Sequence, residues 1–213
     1  LAKQIHLVPN GVDVEHYRPA HIGTASPPEE TRYWSKPVMG YTGTLHTDRL
    51  DIDLLEAVAK SLPEATAVLI GPDHLSKSAR SRLDALRNVT IRHPVAYERL
   101  PQFMRRFDVC IVPHRITAFT DSLNPIKLWE YLAAGKPIVS TNVAGFRDYP
   151  QHVRIASDPA SFVGAIKHAL REDDTCAPAR RAEASRHSWS DRVDAIERII
   201  TRCVRSHVSN YSN

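Results

Sequence analysis

Short apolar runs alternate along the chain with longer stretches whose apolar residues recur at helical spacing. The apolar runs predict strands at 37–42, 66–70, 89–92, 108–112 and 137–140. The periodic stretches predict helices at 51–62, 76–86, 100–107, 125–134, 161–170 and 191–204. Alternation of this kind is typical of α/β proteins, so we predict a doubly wound parallel sheet with helices on both faces.

Length and composition narrow the class of protein. The 213 residues suit one large domain, or one domain with an arm, and 42% of them are apolar. Lysine and arginine outnumber aspartate and glutamate by 28 to 24, a mild excess that suits a protein handling phosphates. Basic residues do not alternate with aromatic ones along a stripe, which disfavours nucleic acid as a partner. The three cysteines form neither a disulfide framework nor a zinc motif, and no signal peptide is evident, so we expect a reducing, cytoplasmic location.

Ligands of open α/β sheets bind beyond the carboxyl ends of the strands, so the loops after the strands are the first place to search for chemistry. These loops are 43–46, 71–73, 93–96, 113–124 and 141–145. Gly43 directly follows the first strand and permits either a close backbone approach to a phosphate or a plain tight turn. Neither G-x-G-x-x-G nor a Walker A motif occurs, which disfavours nicotinamide-binding and ATP-binding folds.

The helix predicted at 125–134 begins with unusual residues. Asn124 is expected to cap it, Pro125 to take its first position, and Lys127 to be its third residue. A lysine there opposes the helix dipole, so it indicates either a bound anion or a lysine facing solvent. Glu130 shares its face on an otherwise apolar helix, where it needs hydrogen-bond donors such as sugar hydroxyls, or an ion pair with Lys127.

The loops beyond the carboxyl ends of the strands should share one rim of the sheet. Other polar residues on this rim fit the same chemistry. Arg49 and Arg115 follow the first and fourth strands and are candidates for contacts with phosphate oxygens. His46 and His114 also fall on the rim. The eleven histidines show no metal-ligand spacing, so we predict neither a metal nor another cofactor.

Several motifs, in order, resemble the C-terminal domain of GT-B glycosyltransferases. The segments VPNGVD at 8–13 and GYTGTL at 40–45 are similar to its opening segment and first phosphate loop. The run NPIKLWEYLAAGKPIVST at 124–141 resembles the donor-binding signature of glycosyltransferase family 4, and SWSDR at 188–192 resembles the start of the terminal helix. The resemblance covers nearly the whole chain and implies a Rossmann-like, nucleotide-sugar-binding half of a GT-B enzyme.

The resemblance implies roles for individual residues. Glu130 would hold the donor ribose hydroxyls, and the turn near Val95 would contact the base through its main chain. Lys127 and Arg49 would act in catalysis by neutralising the diphosphate, without a metal and with retention of anomeric configuration. The residues expected to bind the donor are Gly43, Thr44, Val95, Arg115, Ser122, Asn124 and Glu130.

Two positions depart from the family pattern. The family often carries two glutamates eight positions apart, and here Ser122 stands where the first is expected. Thr44 stands where an arginine is usual, with Arg115 and Lys127 as candidate replacements for its charge. A subset with the pattern P-x-K-L-x-E-Y-L-A-A-G shows the same features, so we interpret both as a subfamily trait.

The expected organisation is a donor-binding domain at 1–190, then a C-terminal helix and polar tail at 191–213. The acceptor-binding N-terminal domain would lie outside this chain, which alone would be inactive. A UDP- or GDP-sugar donor and an acceptor from polysaccharide biosynthesis are expected. Membrane association of a longer protein stays open. The alternatives are a sugar-nucleotide epimerase of the same fold and a non-catalytic nucleotide-sugar-binding module.

Overall fold

A computed structural model describes residues 5–21 and 26–210 of the chain, with side chains up to 204. Within these ranges, six parallel strands form the central sheet in the order β5-β3-β1-β6-β7-β8. They are β1 (Val38–Thr42), β3 (Thr66–Ile70), β5 (Val89–Arg92), β6 (Val109–Val112), β7 (Ile138–Thr141) and β8 (Val153–Ala156). A separate parallel pair joins β2 (Leu45–His46) to β4 (Asp73–His74).

Helices cover both faces of this sheet. They are α1 (Val14–Tyr17), α2 (Ile52–Ser61), α3 (Lys77–Asp84), α4 (Leu100–Met104), α5 (Ile126–Ala133), α6 (Pro159–Ala169), α7 (Ala177–Ser185) and α8 (Trp189–Asn210). One apolar cluster packs α1, α4, α5 and α7 on one face, and a second packs α2, α3 and α6 on the other. The predicted doubly wound α/β fold is therefore confirmed.

The strand order fixes where a ligand can enter. The chain proceeds outward from β1 through β3 to β5, and then returns to the other side of β1 at β6. The loops that follow β1 and β6 consequently begin at the point where the strand order reverses, which is where open α/β sheets form a ligand-binding crevice. Gly43 and His114 lie at the two sides of this crevice.

All of the predicted strands and helices are present, but several elements were not predicted. These are the short helix α1, the β2–β4 pair and the helix α7. Residues 211–213 of the predicted polar tail lie outside the described residues. In the described ranges, no helix has the length and hydrophobicity needed to cross a bilayer.

Candidate donor-binding site

The start of α5 differs from the prediction. Pro125 occupies the N-cap position with a ψ of 116°, so the helix begins at Ile126 and Lys127 is its second residue. The Asn124 side chain does not cap the helix, and the Asn124 carbonyl instead accepts a hydrogen bond from Asn10 Nδ2 at 2.8 Å. The prediction was wrong because the extended ψ of Pro125 places this residue, which has no side-chain acceptor, at the cap.

This start leaves unsatisfied donors at the crevice. Helices α2, α3 and α6 begin with Asp51, Ser76 and Asp158, whose side chains accept first-turn N–H groups. At α5 no side chain does so. Free N–H groups and the positive end of the helix dipole favour an anion at this position.

Lys127 reaches from this helix to the turn after β1. Gly43 has a φ of 134°, and a β-carbon there would overlap Lys127 Cε. The glycine is therefore needed both for its backbone conformation and for the space that the lysine side chain occupies. Gly43 and Lys127, which belong to separate sequence motifs, are thus in contact.

The Lys127 ammonium has no partner of opposite charge within ion-pair distance in the described part of the chain. Burial lowers its pKa, Glu130 partly offsets this, and Arg49 lowers the pKa further. The expected alternative of a surface ion pair between Lys127 and Glu130 is not found. A half-buried cation beside a second cation is unfavourable unless an anion joins them.

Arg49 and His114 are held beside Lys127 by a link between two loops. Leu50 and His114 form an antiparallel bridge, and Arg115 N–H donates to the Arg49 carbonyl at 2.8 Å. His114 is only 4% exposed, and its Nε2 lies 3.2 Å from the Tyr41 hydroxyl. Burial, with Lys127 and Arg49 nearby, lowers the pKa of His114 to about 3. The imidazole is therefore neutral, and the positive charge of this side of the crevice comes from the lysine and the arginine.

Glu130 lies one turn further along α5, in an aromatic environment. Burial raises the pKa of its carboxyl group, while the Tyr17 hydroxyl, Lys127 and His16 each lower it. His16 stacks on Tyr97 with ring centroids 3.8 Å apart. Burial, and then Glu130, raise the pKa of the Tyr17 hydroxyl, which has no well-aligned hydrogen-bond partner in the described structure. Sequence reasoning missed these aromatic neighbours, although the proximity of His16 and Tyr17 to the VPNGVD motif was a usable signal.

The remaining predicted site residues lie around the same rim. Thr44 is half-buried beside Gly43, and its carbonyl accepts from the Tyr41 hydroxyl at 3.4 Å. Val95, after β5, packs on the apolar cluster that contains α5. Arg115 and Ser122 are exposed in the loop before α5, where Ser122 Oγ donates to the Phe119 carbonyl at 2.8 Å.

A cavity of about 490 Å³ lies at the opposite, amino end of the strands. Its carboxylates are largely engaged: Asp108 pairs with Lys36 at 3.0 Å, and Glu172 pairs with Arg154 and Arg180. Ligands of open α/β sheets bind at the other end. In the described residues, no group of three or more His, Cys, Asp and Glu is placed to hold a metal ion, and the absence of a metal requirement stays a prediction.

Comparison with known sequences decides the family. Residues 36–172, which include β1, the crevice and α5, match the family described as Glycosyl transferases group 1. This chain belongs to that family. The resemblance seen in the sequence is therefore confirmed.

Relatives of this group 1 member are about twice its length. TuaH of Bacillus subtilis (strain 168), assigned as a teichuronic acid biosynthesis glycosyltransferase, is 26% identical over a 197-residue alignment that covers 88% of this chain and 48% of TuaH. Among solved structures, Anabaena Alr3699/HepE in complex with UDP matches with a TM-score of 0.73 and 19% identity, over 90% of this chain and 56% of HepE. Sucrose-phosphate synthase of Thermosynechococcus elongatus gives a TM-score of 0.73 and 18% identity, over 96% of this chain and 54% of the enzyme. The chain thus spans about half the length of these relatives, and the structural matches show a shared fold.

Proposed function

We propose that this chain is the donor-binding half of a glycosyltransferase that uses a nucleoside-diphosphate sugar. The observation that carries the proposal is the partial burial of two unpaired charges, Lys127 and Glu130, at the start of α5. Both are half-buried, and burial shifts the pKa of each toward its neutral form. Neither has an ion-pair partner within the described residues. Charges held in this way need a ligand that supplies the opposite charge to one and hydrogen-bond donors to the other.

A nucleoside diphosphate meets both needs. Its diphosphate would lie against Gly43 and the first-turn N–H groups of α5, with Lys127 and Arg49 neutralising the charge. Its ribose hydroxyls would donate to the Glu130 carboxylate one helical turn away. Anabaena HepE, of the same fold, has been crystallised with UDP and with UDP-glucose, which supports this class of ligand.

The chemistry of this half is stabilisation of the leaving group. As the bond between the sugar C1 and the β-phosphate oxygen breaks, negative charge grows on the diphosphate. Fixed cations and helix N–H groups stabilise that charge without reorganising, which is the largest contribution that a preorganised site makes to catalysis. We propose a retaining transfer without a metal, with the acceptor bound by a part of the protein outside this chain.

The proposed organisation follows the same division. Residues 1–190 form the donor-binding domain, and α8 extends from it with exposed apolar residues at Val193, Ile196 and Ile200. We propose that this face packs on the remaining half of the protein, and that the isolated chain binds the donor without transferring sugar. The assignment of TuaH to teichuronic acid biosynthesis supports an acceptor from polysaccharide biosynthesis. We propose that the transfer takes place in the cytoplasm.

Calorimetric titration of the chain with UDP, GDP and ADP tests the proposal. One nucleoside diphosphate should bind, and Glu130→Gln should weaken its binding about 10- to 100-fold, because a hydrogen bond to a charged group contributes about 1.5–3 kcal/mol. The exposed Glu64→Gln is the matched control and should change nothing. The corresponding 2′-deoxynucleotide should bind wild type more weakly and lose much of its sensitivity to Glu130→Gln. A folded wild-type chain that binds none of the three would contradict the proposal, as would equal binding by Glu130→Gln.

A further inference from the structure

The loop between β6 and α5 is held rigidly by its own side chains. Thr120 is fully buried, and its hydroxyl donates to the Arg115 carbonyl at 2.6 Å and accepts from Thr117 N–H at 2.9 Å. Asp121 forms an ion pair with Arg147 beyond the loop. A loop fixed by so many local hydrogen bonds presents its remaining side chains in defined positions.

Phe119 is the aromatic residue that this loop presents to solvent. It is 56% exposed, although the residue that follows it is buried. The Arg49 guanidinium carbon lies 5.6 Å from the centroid of its ring, which is cation–π range. The ring is therefore oriented by a cation of the crevice and still exposes apolar surface.

Ser122 adds to this arrangement. Its hydroxyl donates to the Phe119 carbonyl, so the residue that stands where a glutamate was expected helps to fix the backbone of Phe119.

We propose that Phe119 is a specificity-determining residue that stacks on the apolar face of the donor's sugar ring. The inference rests on the proposed function, which places the diphosphate at Lys127 and Arg49. The sugar attached to the β-phosphate must lie next to these cations, and Phe119 is in contact with one of them. The C–H groups of a pyranose face carry partial positive charge, and the face of an aromatic ring attracts them.

The test compares a nucleoside diphosphate with its glucose conjugate: UDP with UDP-glucose, GDP with GDP-glucose, or ADP with ADP-glucose, according to which diphosphate binds. Phe119→Ala should weaken binding of the conjugate about three- to tenfold relative to the diphosphate, the range expected for a lost aromatic contact. Phe119→Tyr should keep the wild-type ratio. Tyr33→Ala is the matched control, because Tyr33 is also exposed and has an arginine over its ring, at the far end of β1.

The outcomes separate the inference from the proposed function. If Phe119→Ala weakens the diphosphate and the conjugate equally, the ring acts through Arg49 and the stacking inference is overturned. An unchanged ratio with unchanged affinities overturns it as well. In both cases Glu130→Gln still reports on the proposed function, which fails separately if that variant binds the diphosphate as wild type does.

Discussion

The charged residues around the two ends of α5 differ in their partners. At its start, Lys127 and Glu130 are half-buried and have no ion-pair partner in the described structure. Beyond its end, Arg180 is ion-paired with Glu172 and donates to the Gly135 carbonyl at 3.4 Å. Lys136 there has no ion-pair partner within the described residues either, but its ammonium donates to the Arg105 carbonyl at 3.4 Å. One helix of eight residues thus separates a buried, ion-paired arginine from a half-buried lysine and glutamate that have no ion-pair partner.

This difference shows which feature locates a ligand site in a chain that spans about half the length of its relatives. The cavity of about 490 Å³ is at the paired end, whereas the crevice at the unpaired end is an open rim. Concavity depends on surfaces that a neighbouring part of the protein can supply. A half-buried ammonium and carboxylate without ion-pair partners depend only on the residues present, so they indicate a candidate site even where the surface is not concave.

Breaking the paired end should produce the largest change in stability. Arg180→Met leaves the Glu172 carboxylate with Arg154 as its partner and removes a cation that is only 5% exposed. Removing one member of a buried pair costs about 3 kcal/mol of unfolding free energy. Urea unfolding measures this change, and calorimetry should show nucleoside diphosphate binding unaltered at a temperature where the variant is folded. A loss below about 1 kcal/mol would mean that the two ends do not differ as described.

At the start of α5, a lysine substitution should affect nucleotide binding and leave stability largely unchanged. Lys127→Met removes a desolvated cation without an ion-pair partner, so the free energy of unfolding should stay within about 0.5 kcal/mol of wild type or rise. Affinity for the nucleoside diphosphate should fall about 10- to 100-fold, because a charge-assisted contact is lost.

Lys136→Met is the matched control for this variant. It removes another half-buried lysine, one that lies just beyond the other end of the same helix, and it should leave nucleotide affinity unchanged. If Lys136→Met weakened binding as much as Lys127→Met does, a general loss of positive charge, and not the site at the start of α5, would explain the effect.

The sequence predicted those parts of the site that depend on local pattern. Apolar runs located the strands, and the rule that ligands bind beyond the carboxyl ends of parallel strands then placed Gly43 and the start of the Lys127 helix on the same side of the sheet. The structure brings the two residues into contact. The predicted helix cap was wrong because residue type alone does not determine the ψ angle of Pro125. Burial of His114 between loops and the position of His16 beside Glu130 arise from contacts between distant segments, which periodicity does not describe.

The smallest expected effect concerns acid stability and reports on the unpaired end. The pKa of His114 is about 3 in the folded chain, below the ordinary value of 6.5, because it is buried near Lys127 and Arg49. The unfolded chain therefore binds a proton at higher pH than the folded chain does. The stability contributed by the neutral imidazole is present above about pH 6.5 and is lost as the pH falls toward about 3.

His114→Phe should remove this part of the pH dependence. Between pH 7 and 5.5, wild type should lose about 1 kcal/mol more of its unfolding free energy than the variant does. Tyr41→Phe is the control, since it deletes the hydroxyl beside Nε2 but leaves the imidazole buried near both cations, and it should keep the wild-type slope. Urea unfolding at several pH values measures the slopes, which a constant loss of stability in either variant does not affect. Equal slopes for wild type and His114→Phe would mean that the imidazole accepts a proton in the folded chain, and that an anionic group compensates the two cations beside it.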